Sequence, residues 1–150
     1  MDVKNSYIYL AQTDTTAGFL SKNKELLNRI KNRALNKPCI ITIARLCELQ
    51  NFTHIPNKYK NLVRKAKKTS FIYPNGKTLR VVHEGKHRQF LLENGWFYSS
   101  SANAHGKKFD EAWAKKIIDK NKGIILDEEF FEGRSSVIYK LSRLRRRKIR

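Results

Sequence analysis

A chain of 150 residues is the length of one ordinary domain, and 40% apolar content with eight Phe, six Tyr and two Trp suffices for a core, so its charge does not imply disorder. Thirty-two Lys and Arg against 13 Asp and Glu give a net charge of +19, which favours phosphate-bearing partners and disfavours neutral ones. Two cysteines, Cys39 and Cys47, are too few for a disulfide framework and point to a reducing, cytoplasmic setting. Met1 to Ser6 shows no signal-peptide pattern, and no apolar run approaches a bilayer span, so no membrane partner is expected.

Tyr7 to Ala11 reads as a buried strand that runs into a polar loop, Gln12 to Thr16. From Lys24 to Arg33 the residues Leu26, Leu27 and Ile30 share one helical face, and Pro38 ends that region. Cys39 to Ala44 is nearly all apolar, as in a strand covered on both faces. A short helical turn over Arg45 to Leu49 and a basic helix over Asn57 to Lys68 follow. Thr69 to Tyr73 and Thr78 to Val82 flank an Asn75-Gly76 pair, the signature of a β-hairpin. Lys86 to Glu93 reads as a helix stopped at Asn94-Gly95. Trp96 to Tyr98 is a strand opening into a loop, Ser99 to Asn103. Phe109 to Lys120 is an amphipathic helix, Ile124 to Leu126 a strand, and Ser136 to Leu141 a last strand before the tail Arg143 to Arg150. Strands alternate with helices around one central hairpin, which argues for an α/β domain with a twisted mixed sheet and helices packed on it.

Three polar segments follow strand-like runs: Gln12 to Thr16, Ser99 to Asn103, and Gly133 to Ser136. In open α/β sheets ligands gather where such segments converge, and hydroxyls there suit carboxylate and phosphate oxygens. Each segment taken alone reads equally as a turn or helix cap. The basic trio Lys31, Arg33 and Lys37, at the end of a helix before a strand, adds the charge to clamp a triphosphate, Arg33 by its fork and the lysines as point charges.

Gln12-Thr13-Asp14-Thr15-Thr16-Ala17-Gly18-Phe19 resembles the Pro-Thr-Asp-Thr-x-Tyr-Gly-Leu segment of the YrdC/TsaC family of threonylcarbamoyl-AMP synthases. Lys31-Asn32-Arg33 with Lys37-Pro38 is similar to its Lys-x-Arg-Pro-x-x-Lys-Pro signature, and Arg80-Val81-Val82 to its Arg-Val-Pro stretch. Ser99-Ser100-Ser101-Ala102-Asn103-Ala104-His105-Gly106 resembles its Ser-Thr-Ser-Ala-Asn-x-Ser-Gly loop, and Gly133 to Ile138 its closing Gly-x-Pro-Ser-Thr-Ile element. The five motifs keep the family's order between residues 7 and 141.

The resemblance implies a YrdC-like twisted mixed sheet with flanking helices and a basic ligand cleft over residues 1–141, followed by a basic tail at 142–150. It implies an enzyme that joins L-threonine, bicarbonate and ATP into threonylcarbamoyl-AMP, with Mg²⁺ on the triphosphate. A transfer complex would then modify adenosine 37 of tRNA. Thr13, Thr15 and Arg33 would hold threonine; Lys31, Arg33, Lys37, Thr69, Ser99, Ser101, Asn103, Ser135 and Ser136 would contact nucleotide and phosphate. No catalytic side chain is assigned, because the reaction needs positioning and charge neutralisation more than a nucleophile. The family also binds double-stranded RNA, for which Arg143, Arg145, Arg146, Arg147 and Lys148 are the candidates here.

Gln12 replaces the Pro of the first motif, Ala17 its aromatic residue, and His105 the second Ser of the Ser-Ala-Asn-x-Ser loop. These departures carry the alternative reading, a non-catalytic double-stranded RNA or tRNA-binding module of the same fold. The tail itself reads either as an arm tracking phosphates or as a solvated end, beginning packed at Leu141 and then freeing itself. His83 and His87 lack a nearby third ligand and read as structural; His105 reads as a phosphate contact or a surface residue. Glu128, Glu129 and Glu132 read as a solvated acidic cluster, and Phe130 and Phe131 as core.

Overall fold

The structure, a computed structural model, describes residues 7–150; the signal-peptide expectation for Met1 to Ser6 falls outside them. Alternating apolar residues build the first hairpin: β1 (Ile8–Gln12) pairs antiparallel with β2 (Ala17–Ser21) around the polar turn 13–16. The second strand was not expected, since Gly18 weakens its intrinsic preference. Pairing on both edges imposes it, with β1 on one side and β6 (Phe97–Ser101) on the other. Gly18 is needed there, because a Cβ would lie 2.9 Å from Thr13 Cγ2 and 3.1 Å from the Ser100 carbonyl.

The remaining strands are β3 (Ile40–Ile43), β4 (Thr69–Ile72), β5 (Thr78–Val81), β7 (Ile124–Ile125), β8 (Val137–Leu141) and β9 (Arg146–Lys148). They form one nine-stranded sheet in the order β7-β1-β2-β6-β3-β5-β4-β8-β9. Three neighbouring pairs are parallel, β1–β7, β3–β5 and β4–β8; the others run antiparallel. The mixed α/β architecture is the one the alternation of elements predicts. The Asn75-Gly76 hairpin is present, with Gly76 at φ +85° and its N–H donating to the Tyr73 carbonyl at 2.8 Å.

Helix α1 (Lys24–Ile30) begins at Asn23, whose side chain accepts the Leu26 N–H. It stops three residues short of the expected Arg33, because Asn32 turns into the left-handed region at φ +53°. The basic helix resolves into a 3₁₀ turn at Asn57–Tyr59 and a short α2 (Lys60–Lys65). Helix α3 (Gly85–Asn94) ends at Gly95, with φ +83°, as the Asn-Gly stop predicts. Helix α4 (Glu111–Lys120) is capped by Asp110. Among the described residues no helix is long and apolar enough to cross a membrane.

Period-two alternation divides the two faces of the sheet. Ile41, Ile43, Phe71, Tyr73, Leu79, Val81 and Leu141 pack with Tyr59 and Val63 in one core. Ile8, Leu10 and Phe19 form a second with Leu27, Ala114 and Ile118 of α1 and α4. Tyr9, Leu20, Val82 and Phe97 form a third beneath α3. The residues between them in sequence, Thr78 and Arg80 on β5, Ser70 and Ile72 on β4, and Ile40 on β3, leave a partly polar strip in the middle of the sheet.

Two expectations about the edges are corrected. The tail does not free itself: β9 pairs antiparallel with β8, Tyr139 opposite Lys148 and Leu141 opposite Arg146. Phe131 is not core but 62% exposed, whereas Phe130 packs against the α1/α4 cluster.

Candidate functional site

Nine of the residues singled out from the sequence line one cavity of about 340 Å³: Thr13, Thr15, Lys31, Arg33, Lys37, Ser99, Ser101, Ser135 and Ser136. Two do not. Thr69 spends its hydroxyl on the Lys67 carbonyl at 2.8 Å, and Asn103 ties its amide to the carbonyls of Ala104 and Lys107. Asn103 still approaches the site, its Oδ1 lying 3.5 Å from Lys31 Nζ. The serines expected on a loop are in fact strand residues of β6, held by pairing to β2 and β3. A strand fixes their hydroxyls more tightly than a loop would.

The turn between β1 and β2 forms one wall. Thr13 stabilises it from inside, donating its hydroxyl to the Thr16 carbonyl and accepting the N–H groups of Thr15 and Thr16 at 3.3 and 3.2 Å. The segment after β7 straps the turn from outside. Phe131 N–H donates to Gln12 Oε1 at 3.0 Å and Gly133 N–H to Thr16 Oγ1 at 3.0 Å. Only glycine fits at 133, since a Cβ there would lie 2.0 Å from the Thr15 carbonyl oxygen.

The opposite wall is organised by Asn28, a fully buried residue of α1. Its amide donates to the carbonyls of Leu35 and Lys37, both at 2.9 Å, and its Oδ1 accepts Arg33 Nε at 2.6 Å. Arg33 also donates to Ser100 Oγ at 3.2 Å and Cys39 Sγ at 3.4 Å. Lys31, 4% exposed, donates to Ser100 Oγ at 2.9 Å, Ser101 O at 2.8 Å and Ser101 Oγ at 3.2 Å. Among the described residues no carboxylate partners it. Burial, reinforced by the neighbouring Arg33, lowers its pKa from 10.5 to about 8. Burial likewise pushes the Cys39 thiol up.

Arg80 supplies the floor. It is 3% exposed and donates to Asp14 Oδ1 at 2.9 Å, and its Nε has no hydrogen-bond partner. Burial alone would raise the Asp14 carboxyl; the His87 hydrogen bond and the Arg80 charge outweigh it and hold the pKa at about 2. Arg150 closes the last side, its guanidinium donating to Ser136 O at 3.0 Å and Ser136 Oγ at 3.2 Å. Ser136 in turn shares a 2.9 Å hydrogen bond with Ser70.

Five cations, Lys31, Arg33, Lys37, Arg80 and Arg150, therefore line the cavity, and among the described residues no lining residue is acidic. Such an arrangement is built for an anion of more than one charge. Sequence reasoning left Arg80, Arg150, Ser100 and Asn28 out of the site. Two of them left a signal: Arg80 interrupts an apolar strand, and Asn28 falls on the buried stripe of an amphipathic helix. Arg150 left none, because only the return of β9 brings it to the cavity.

The paired histidines diverge. His83 precedes α3 and lies 2.9 Å from the Ala66 carbonyl, while His87 points inward to Asp14. Among the described residues no cluster of three or more His, Cys, Asp or Glu could hold a metal. Glu128, Glu129 and Glu132 are exposed. Two segments without any Asp or Glu, residues 49–83 and 133–150, carry eight Lys or Arg each, and all of these but Arg80 and Arg150 lie outside the cavity lining. The fold packs them side by side through β4 and β8 and through Lys58, which donates to the Leu144 carbonyl at 2.9 Å. Fourteen cations of these acid-free segments thus lie outside the cavity, and Arg143, Arg145, Arg146, Arg147 and Lys148 among them are exposed.

No family model and no curated protein matches the sequence. Solved structures do match. P. abyssi Sua5, in its H234A/Y235A form, superposes with a TM-score of 0.80 at 17% identity over 99% of this chain and 53% of its own. The same protein complexed with L-threonine gives 0.75 at 17% identity, over 99% and 51%. E. coli YciO gives 0.77 at 16% identity, over 99% and 84%. The chain spans about half the length of the Sua5 structures. At such identities the likeness establishes architecture, and the architecture is the YrdC-like fold with its twisted mixed sheet and flanking helices.

Proposed function

We propose that the cavity takes ATP and L-threonine, and that the chain makes threonylcarbamoyl-AMP from them with bicarbonate. The observation that carries this reading is the ring of five cations and seryl and threonyl hydroxyls with no acid in its lining. A structure of the same fold, P. abyssi Sua5, is complexed with L-threonine, which supports the amino-acid substrate. In the reaction bicarbonate gives up hydroxide to form carbon dioxide, the threonine amine adds to its carbon, and the proton lost from the amine joins the hydroxide as water, leaving a carbamate. A carbamate oxygen attacks the α-phosphorus of ATP, the bond to the β-phosphate oxygen breaks, and pyrophosphate leaves with that electron pair.

The protein's part is to hold two anions together against their repulsion. Lys31, Arg33 and Lys37 would take phosphate oxygens, with the Ser99 and Ser101 hydroxyls beside them. Thr15 is better placed than Thr13 to meet threonine, since the Thr13 hydroxyl is committed to its own turn. Mg²⁺ neutralises triphosphate charge when bound. The lining offers it hydroxyls but no carboxylate, so phosphate and water would complete its coordination. The product would pass to a transfer complex acting on tRNA adenosine 37. The test is pyrophosphate release from ATP that requires both threonine and bicarbonate, abolished by the double substitution of Lys31 and Arg33 to Ala. Pyrophosphate release that ignores threonine would sink it.

A second reading rests on a different observation, the pairing through β4 and β8 of two acid-free segments that carry fourteen cations outside the cavity. A non-catalytic double-stranded RNA or tRNA-binding module needs only that surface. RNA would be bound through backbone phosphates, so affinity would fall steeply with salt. Changing Arg143, Arg145 and Arg147 to Gln should reduce the salt slope by about 3 and leave pyrophosphate release unchanged.

A further inference from the structure

One buried titratable group has no part in the reaction above. His87 is 3% exposed on α3, its Nδ1 faces Asp14, and its Nε2 has no hydrogen-bond partner. We infer that His87 is a positioning residue for the cavity: through Asp14 it sets how firmly Arg80 is held, so that anion binding at Arg80 is linked to uptake of a proton by His87.

The geometry makes the imidazole a selector between two contacts. Nδ1 lies 3.3 Å from Asp14 Oδ1 and 3.5 Å from the Asp14 backbone nitrogen. A ring with its lone pair on Nδ1 accepts the Asp14 N–H. A ring with a proton on Nδ1 donates to the carboxylate, and the imidazolium can do only this. Asp14 Oδ1 is also the oxygen that holds Arg80 at 2.9 Å. Protonating His87 therefore places a second cation on the same carboxylate oxygen and weakens its hold on Arg80. The guanidinium, whose Nε is already unpartnered, becomes freer to meet an anion in the cavity it lines.

The charges around the ring fix the sign. Asp14 faces it from the β1–β2 turn, Arg80 from β5, and Asp127 from the segment after β7; Asp127 also accepts the Gln12 N–H at 2.7 Å and lies 3.9 Å from Lys86. Burial pushes the imidazole below the ordinary histidine range, the Asp14 hydrogen bond and charge pull it back, and the Arg80 charge lowers it further. An anion bound at Arg80 cancels part of that last effect and so raises the proton affinity of His87. Linkage is reciprocal, so protonation of His87 tightens anion binding.

This rests on the cavity being an anion site and not on the threonine chemistry. Sulfate is the probe, because it stays doubly ionised throughout the window and needs neither threonine nor bicarbonate. Calorimetric affinity at pH 5.0 and 7.0 should be about fivefold tighter at the lower pH, the low end of ordinary coupling. The His87→Asn variant offers an amide N–H to Asp14 but does not titrate, and should flatten that dependence. The window ends a full unit below the Lys31 pKa of about 8, so Lys31 stays mostly protonated across it. Independently, the imidazole ¹⁵N resonances of wild-type His87 should titrate at higher pH when sulfate is present. An unmoved His87 titration, or a His87→Asn variant with the wild-type pH dependence, overturns the inference. Absence of sulfate binding at either pH overturns the anion-site reading beneath it.

Discussion

Replacing Lys31 with Met should make the ligand-free protein more stable at pH 7 while disabling its cavity. The ammonium is buried against Ser100 and Ser101 with no carboxylate partner among the described residues, and its pKa falls from 10.5 to about 8. That lowering corresponds to roughly 3 kcal/mol against the charged form. Because the folded-state value lies below the unfolded one, the unfolded chain binds more protons between them. Stability at this site therefore rises with pH from about 8 to 10.5, and the full penalty is present at pH 7. Met keeps the length of the side chain and removes the charge. Against the gain stand hydrogen bonds whose serine partners can turn to water in the cavity, worth about 1–2 kcal/mol. The net expectation is about 1–2 kcal/mol of added stability, a rise in Tm of roughly 2–8 °C for a chain of this size. Thermal unfolding followed by circular dichroism at pH 7 and pH 10, with pyrophosphate titrated by calorimetry at pH 7, checks both halves. The stability difference should close at pH 10, and pyrophosphate affinity should fall at least tenfold, about 1.4 kcal/mol. A variant less stable than wild type at pH 7 that still binds pyrophosphate normally would show Lys31 to be a packing residue and refute the reasoning.

Asp14 should behave in the opposite sense. Its carboxyl is held at about 2 against an ordinary 3.8, so its contribution is present above pH 3.8 and is lost as pH falls through 2. Asp14→Asn should cost about 2 kcal/mol or more in urea unfolding at pH 7, and the gap from wild type should narrow by pH 2.5. A gap that stays constant with pH would count against the Asp14–Arg80–His87 cluster. Arg150→Ala should weaken pyrophosphate binding by about tenfold, the value of one charge-assisted contact, with little change in Tm. Unchanged affinity would place Arg150 on the rim as a tether for β9 and not in the anion site.

Much of the sheet was legible because its pattern is local. The Asn75-Gly76 hairpin, the alternation through β5 and the stop at Gly95 are written in consecutive residues. The motif residues Thr15, Lys31, Arg33 and Ser101 were found in the same way, and the fold does bring them to one cavity. What local pattern could not carry is pairing between distant segments. Ala17–Ser21 becomes a strand because β6, about 80 residues away in the chain, pairs with the edge that β1 leaves open. The same holds for β9, which closes on β8 and delivers Arg150 to a site centred on other elements.

The sequence by itself determined that this chain takes a mixed α/β architecture and carries a large positive charge, since composition and short-range periodicity decide both. Only the tertiary structure decided how that charge is divided. It buries Lys31 and Arg80 in a cavity without acids, and it gathers the two acid-free segments along one end of the sheet. The physical reason is that charge is additive along a chain, but an electrostatic site depends on which charges are brought within a few ångströms of one another and out of water.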